Sequence, residues 1–182
     1  MDFVGGLRMS RKGHDYLYVV VDRFNKMCIL MPCVKQVTAE KTSHVFFQNV
    51  WVHFGFPTSI ISDRDPRFLG EFWSTLWGIM DTKLKKSTAF HPQTDGQTKV
   101  VNKIVVHLLR GYCNKHPKLW DEQLHYIQHA YNREIHSSTK TSPFETCFGY
   151  LPKSPLDFIF DKDSIVDENS NEVKAMKFIE RI

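Results

Sequence analysis

The chain has 182 residues, 42% of them hydrophobic and 24% charged, with a formal net charge of +4. That balance excludes a disordered polyelectrolyte and fits one packed domain with a short tail. The mild positive charge permits a nucleic-acid partner without requiring one.

No apolar run approaches the length of a membrane span, and the first residues lack the basic start of a secretory signal. An intracellular protein, nuclear or cytoplasmic, with no membrane partner is therefore expected. Cys28, Cys33, Cys113 and Cys147 form no C-x-x-C pair, which argues against a zinc ribbon or a thioredoxin-type site. Reduced, buried thiols are expected instead.

In chain order, Asp2-Phe3-Val4 begins a possible first strand. Tyr16–Val21 (YLYVVV) is a β-branched and aromatic run, the pattern of a strand buried on both faces. Residues 27–33 are a second such run, and the short polar link over 22–26 predicts an antiparallel hairpin. Thr38 can cap a helix that carries Glu40 in its first turn. Phe46, Val50 and Phe54 repeat every four residues along it, and Gly55 and Pro57 stop it. Residues 58–61 read as a strand. Leu69, Phe72, Trp73, Leu76, Trp77 and Met80 follow a helical pattern, and residues 82–87 read as another strand.

Residues 88–97 lack apolar periodicity and read as a loop. A strong stripe follows: Val100, Val101, Ile104, Val105, Leu108, Leu109 and Tyr112. Pro117 opens a helix with Trp120, Leu124, Ile127 and Tyr131 on one face. A short helical piece follows Pro143. Residues 151–182 read as a linker and the start of a further helix, cut by the chain end. Strands followed by alternating helices predict an α/β fold, with a mixed, partly antiparallel sheet and helices on its faces.

Polar residues gather at the ends of these elements. Asp2 lies in the first strand, and Asp63 follows an apolar strand. Lys99, Asn102 and Lys103 share one helix face. Carboxylates brought together from different strands suit magnesium, a hard cation that wants oxygen ligands. Isolated Asp residues at strand ends are, however, more often turn formers than metal ligands.

Five strings carry more. They are Met1-Asp2-Phe3, YVVVDRFNK at 18–26, IISDRDPRF at 60–68, FHPQTDGQTKVVN at 90–102, and YNREIHSSTKTSPFETCFG at 131–149. In this order the chain resembles the integrase catalytic core of gypsy-type LTR retrotransposons, related to retroviral integrases. The resemblance covers about residues 1–150.

It implies an RNase H-like fold, a mixed five-stranded sheet whose first three strands are antiparallel, with helices on both faces. Residues 1–150 would form that core, and the chain would be a fragment of a polyprotein. The resemblance also implies an active site of three carboxylates holding two magnesium (or manganese) ions. These would process DNA 3′ ends and then transfer strands into target DNA. The expected partners are DNA, both element ends and target, and further copies of the chain. The first carboxylate falls on Asp2 and the second on Asp63. The third, after 35 intervening residues, falls on Lys99, where the family has Glu. His91, Gln93 and Thr94 in the loop, and Lys99, Asn102 and Lys103 on the helix, would lie near DNA. Lys85 and Lys86 suit DNA phosphate equally with a solvated edge strand.

Exchanging Glu for Lys beside a divalent ion about 5 Å away changes the interaction on the order of 10 kcal/mol at an effective dielectric near 20. Metal binding is expected to weaken and catalysis to suffer. Three readings of Lys99 stand: damage to a mobile-element copy, a retained DNA-binding or oligomerisation module, or rescue by the nearby Asp95. A nuclease of the wider RNase H-like class meets the same objection. His125 and His129 are spaced as a possible zinc pair, but the helix offers no third ligand and an ordinary surface is expected. Asp22 reads as a turn residue, and Asp65 as one that positions Arg64 or Arg67.

Overall fold

The computed structural model describes residues 1–86 and 96–155, with positions 157, 175 and 178. The expected loop residues His91, Gln93, Thr94 and Asp95, and most of the expected C-terminal helix, lie outside the described residues.

The first three strands, β1 (Asp2–Val4), β2 (Tyr16–Val21) and β3 (Cys28–Cys33), form an antiparallel ladder in the order β1-β2-β3. Asp2 stands opposite Val19, and Val19 opposite Leu30. Asp22 sets the hairpin as a turn former should: its Oδ1 accepts from the amides of Phe24 and Asn25, each at 2.8 Å. Strands β4 (Ser59–Ser62) and β5 (Lys83–Lys86) pair in parallel, with Ile61 beside Lys85 and Ser62 beside Lys86. The two ladders meet where the Met1 amino group donates to the Ile61 carbonyl at 2.7 Å.

Helix α1 (Ala39–Phe46) starts at Thr38, whose hydroxyl accepts from the Lys41 amide. It runs through a π turn (Phe47–Trp51) into α2 (Val52–Phe54) and ends at Gly55, where φ is 71°. Phe46 and Val50 are buried, but the wider π turn rotates the helix, and Phe54 emerges into solvent. The next pattern is also interrupted. Gly70, extended rather than helical, separates α3 (Pro66–Leu69) from α4 (Glu71–Ile79). Leu69 and Phe72 are consequently exposed, while Trp73 and Trp77 are fully buried.

Helix α5 (Gly96–Tyr112) begins inside the expected loop, because its first turn is polar and precedes the apolar stripe. A 3-10 turn (Pro117–Glu122), α6 (Leu124–Arg133) and α7 (Pro143–Phe148) follow. Ser142 and Glu145 cap α7 reciprocally, a complete capping box.

Side-chain alternation along β2 divides the core in two. Leu17 and Val19 face Val101, Val105 and Leu109 of α5 and Trp120, Leu124, Ile127 and Tyr131. Tyr18, with Met1, Met31 and Ile60, faces Phe46, Val50, Trp73 and Trp77. Helices thus cover both sides of the strands, as the RNase H-like reading expects.

The free edge of β3 is closed by side chains rather than by a strand. Asn132 exchanges two 2.8 Å hydrogen bonds with the main chain of Cys28, and Gln128 accepts from the Leu30 amide. This gives the Tyr131-Asn132 string a physical role: it protects a sheet edge from pairing. All four cysteines are free thiols. Burial pushes the Cys33 thiol up to about 12 and the Cys28 thiol higher still, which fits inert core thiols.

Candidate active site

The Met1–Ile61 hydrogen bond sets the start of β1 beside the end of β4. Asp2 lies one residue past that contact on its strand, and Asp63 two residues past it on the other. Asp2 is only 8% exposed. Its Oδ1 accepts from the Phe3 amide at 2.8 Å, and its Oδ2 accepts from Asn102 Nδ2 at 2.7 Å. The second bond draws the polar face of α5 against β1. Lys99, one turn before Asn102, is on that face and exposed. The amide nitrogen of Asn102 faces the carboxylate because its oxygen there would be repelled.

Asp63 begins a relay of local contacts. Its Oδ1 accepts from the Asp65 amide at 3.1 Å. Asp65 caps α3 by accepting from the Arg67 amide at 2.9 Å, and its carboxylate takes a two-pronged grip from the Arg67 guanidinium. That guanidinium lies 3.5 Å from the centre of the Phe3 ring. Phe3 follows Asp2 directly, so one side chain ties the segment after Asp63 to the strand of Asp2. The sequence reading of Asp65 as a residue that positions arginine holds for Arg67.

Burial alone would raise the Asp65 pKa, but the hydrogen bonds and charge of Arg67 outweigh it and hold that carboxyl below its ordinary value. Stability from this pair is present above the unfolded carboxylate value, about 3.9. It is lost as pH falls through the lower folded value. Asp65→Asn should therefore flatten the loss of urea stability between pH 5 and pH 2.5. Parallel curves for the two chains would refute the pairing as an energetic contact.

Lys85 and Lys86 are exposed on β5, level with Ile61 and Ser62, and so next to Asp63. Lys103 is exposed on α5. Among the described residues, no group of three or more His, Cys, Asp or Glu side chains is placed to hold a metal ion. Asp2 and Asp63 supply two carboxylates, and the third expected position is an ammonium. This donor set does not fit a two-ion centre. His125 and His129 are likewise in no metal-binding group.

One cluster leaves no mark in the sequence, because Ser10 and His14 meet an aspartate more than 100 residues away. Ser10 Oγ donates to Asp121 Oδ2 at 2.7 Å, and His14 Nδ1 meets the same oxygen at 2.7 Å. The residue types match a hydrolytic triad, but the connectivity does not. The serine hydroxyl donates to the carboxylate, not to the imidazole, so no base activates it. The cluster fastens the β1–β2 loop to the 3-10 turn.

Solved structures of similar architecture show the fold. A chain of the simian T-cell lymphotropic virus intasome, solved in complex with the PP2A regulatory subunit B56 gamma, superposes with a TM-score of 0.67. The identity is 16%, over 91% of this chain and 59% of that one. The HTLV-2 integrase catalytic core domain, in a trimeric form with magnesium, gives 0.60 at 20% identity, over 79% and 93% of the two chains. The BIV integrase core gives 0.61 at 14%, over 80% and 90%. The fold is that of a retroviral integrase catalytic core.

The sequence relatives narrow this. Transposon Tf2-3 and Tf2-4 polyproteins of Schizosaccharomyces pombe (strain 972 / ATCC 24843) are each 43% identical over 173 residues, 94% of this chain. The chain corresponds to 13% of the length of those polyproteins. No protein-family model matches it. The chain is an integrase-core-like segment of the LTR retrotransposon kind, as the five strings indicated.

Proposed function

We propose that this chain is a DNA-binding integrase core whose two-metal chemistry is lost or severely impaired, because Lys99 occupies the place of the third carboxylate. The observation that carries this is the Asn102–Asp2 hydrogen bond. It brings the α5 face bearing Lys99 against the strand bearing Asp2, so the sequence register has a spatial counterpart.

By ancestry the reaction is phosphodiester cleavage at DNA ends and strand transfer, with magnesium or manganese held by Asp2 and Asp63. With the ammonium nearby, ion binding is weakened. What remains is DNA recognition: Lys85, Lys86, Lys99, Asn102 and Lys103 on the folded elements, with His91, Gln93 and Thr94 in the loop, contact the DNA backbone. Residues 1–150 constitute the core, and 151–182 a linker into a further helix.

The core works as a homo-oligomer, and its exposed aromatics Trp51, Phe54, Phe56, Phe148 and Tyr150 supply apolar surface for that contact. The HTLV-2 core is itself known in dimeric and trimeric forms. Among the described residues no helix is long and apolar enough to cross a membrane. A nuclear or cytoplasmic location follows from the DNA substrate.

Strand cleavage in magnesium or manganese tests the reading. The parent chain should cleave no faster than Asp63→Asn. A parent rate about tenfold above that variant, a barrier difference of ~1.4 kcal/mol, would overturn it.

A further inference from the structure

The loop between β1 and β2 and the 3-10 turn after α5 come together at the end of α5 remote from Asp2. The loop carries Arg8, Arg11 and Lys12, and the segment around the turn carries Lys115 and Lys118, all exposed. Five cations therefore share one surface. Glu122 is engaged by Lys12 at 3.6 Å, and Asp121 is buried against Ser10 and His14.

The surface is held rigidly. The Arg11 amide donates to the Lys118 carbonyl at 2.9 Å, and Trp120 Nε1 donates to the Arg8 carbonyl at 2.7 Å. The Ser10–Asp121–His14 cluster adds a third fastening. Cations on a fixed backbone lose less freedom on binding than cations on a mobile loop.

Helix α5 connects this surface to the candidate active site. It contains no acidic residue, and Lys99, Lys103, His107 and Arg110 recur along one exposed face at helical spacing. From Gly96 to Tyr112 the axis rises ~24 Å, the length of about seven base pairs.

We propose that this cationic surface is a second phosphate-binding site for duplex DNA, which engages the backbone about seven base pairs away from the carboxylates. It rests on the reading of the chain as a DNA-binding core and adds to it a contact outside the catalytic region. The charge density suits a regular array of phosphates, and the ~24 Å run of cations along α5 suits the regular rise of a duplex backbone.

The test is fluorescence anisotropy with a 20-base-pair duplex across a salt series. The triple variant Arg8→Gln, Arg11→Gln, Lys118→Gln removes three of the cations. Their anchoring runs through main-chain atoms, so the fold should survive, and an unchanged Tm checks this. Lys35→Gln, Lys41→Gln, Lys140→Gln removes the same charge from exposed positions elsewhere.

The first variant should bind about tenfold or more weakly at ~50 mM salt, with its salt slope reduced by about 2 to 3. The second should stay within about twofold of the parent. Equal losses in both variants would overturn the site while leaving DNA binding intact. Failure of the parent to bind any duplex at low salt would instead overturn the DNA-binding reading, and this site with it. A first variant that loses single-stranded RNA but keeps the duplex would overturn the assignment of ligand.

Discussion

Lys99→Glu is expected to raise magnesium- or manganese-dependent strand cleavage by about 100-fold or more, ~2.7 kcal/mol of transition-state stabilisation. The argument is electrostatic. Unit charges about 5 Å apart interact by ~3 kcal/mol at an effective dielectric near 20. Replacing a carboxylate by an ammonium beside a divalent ion changes four such units, and even a quarter of that sum is a factor of about 100 in occupancy. Lys99 is exposed, so solvent screening and rotation of the ammonium reduce the full figure. The gain should vanish in Lys99→Glu combined with Asp63→Asn, because the restored carboxylate acts only with its partners. Lys99→Gln should recover part of the ion binding, since it removes the repulsion, but much less cleavage than Lys99→Glu, since it supplies no anionic ligand. Equal activity in Lys99→Gln and Lys99→Glu would mean that charge repulsion alone, and not the lost ligand, is responsible.

Trp77→Ala is expected to destabilise the domain by about 3–5 kcal/mol in urea denaturation. Trp77 is fully buried. Its indole meets Phe46 edge-on at 5.1 Å, stacks over Phe47 at 6.1 Å, and meets Trp73 at 5.5 Å. These rings pack on the side of the strands that also holds Met1 and Ile60, beneath the junction of β1 and β4. A cavity there loosens the Met1–Ile61 contact that aligns Asp2 with Asp63. Such a loss is a large share of the ~5–15 kcal/mol that stabilises a typical domain. A loss below about 1 kcal/mol would mean that the aromatic cluster is not the support of the site.

Most elements were legible because their patterns are local. The Thr38 cap and the β2–β3 hairpin behave as their spacing indicates. Trp120, Leu124, Ile127 and Tyr131 share one buried cluster as expected, but the expected single helix is split: Trp120 lies in the 3-10 turn and α6 starts only at Leu124. The α5 stripe is broader in the sequence than in the fold. Val101, Val105 and Leu109 are buried, whereas Val100, Ile104 and Tyr112 face solvent, since apolar identity alone does not say which flank meets the sheet. The breaks at Phe47–Trp51 and Gly70 leave no sequence signal, because a π turn and a one-residue interruption leave the apolar composition unchanged.

For the candidate site, residue identity came from the five strings, and chemistry from Asp2, Asp63 and Lys99. The contacts that assemble it were not legible. Asn102 to Asp2 spans 100 residues and Met1 to Ile61 spans 60, beyond any periodic signal. Sequence reading set Asn102 beside DNA phosphate, and the folded chain adds a bond from it to Asp2. The Arg67–Phe3 contact was equally invisible, although Asp65 had pointed toward arginine.

The most direct test of the central claim is a calorimetric titration of manganese into the parent and into Lys99→Glu. If the lysine is what separates this chain from an active core, Lys99→Glu binds the ion about 100-fold more tightly, a gain of ~2.7 kcal/mol, and Asp63→Asn abolishes that gain. Tight binding by the parent itself, unchanged by Lys99→Glu, would contradict it.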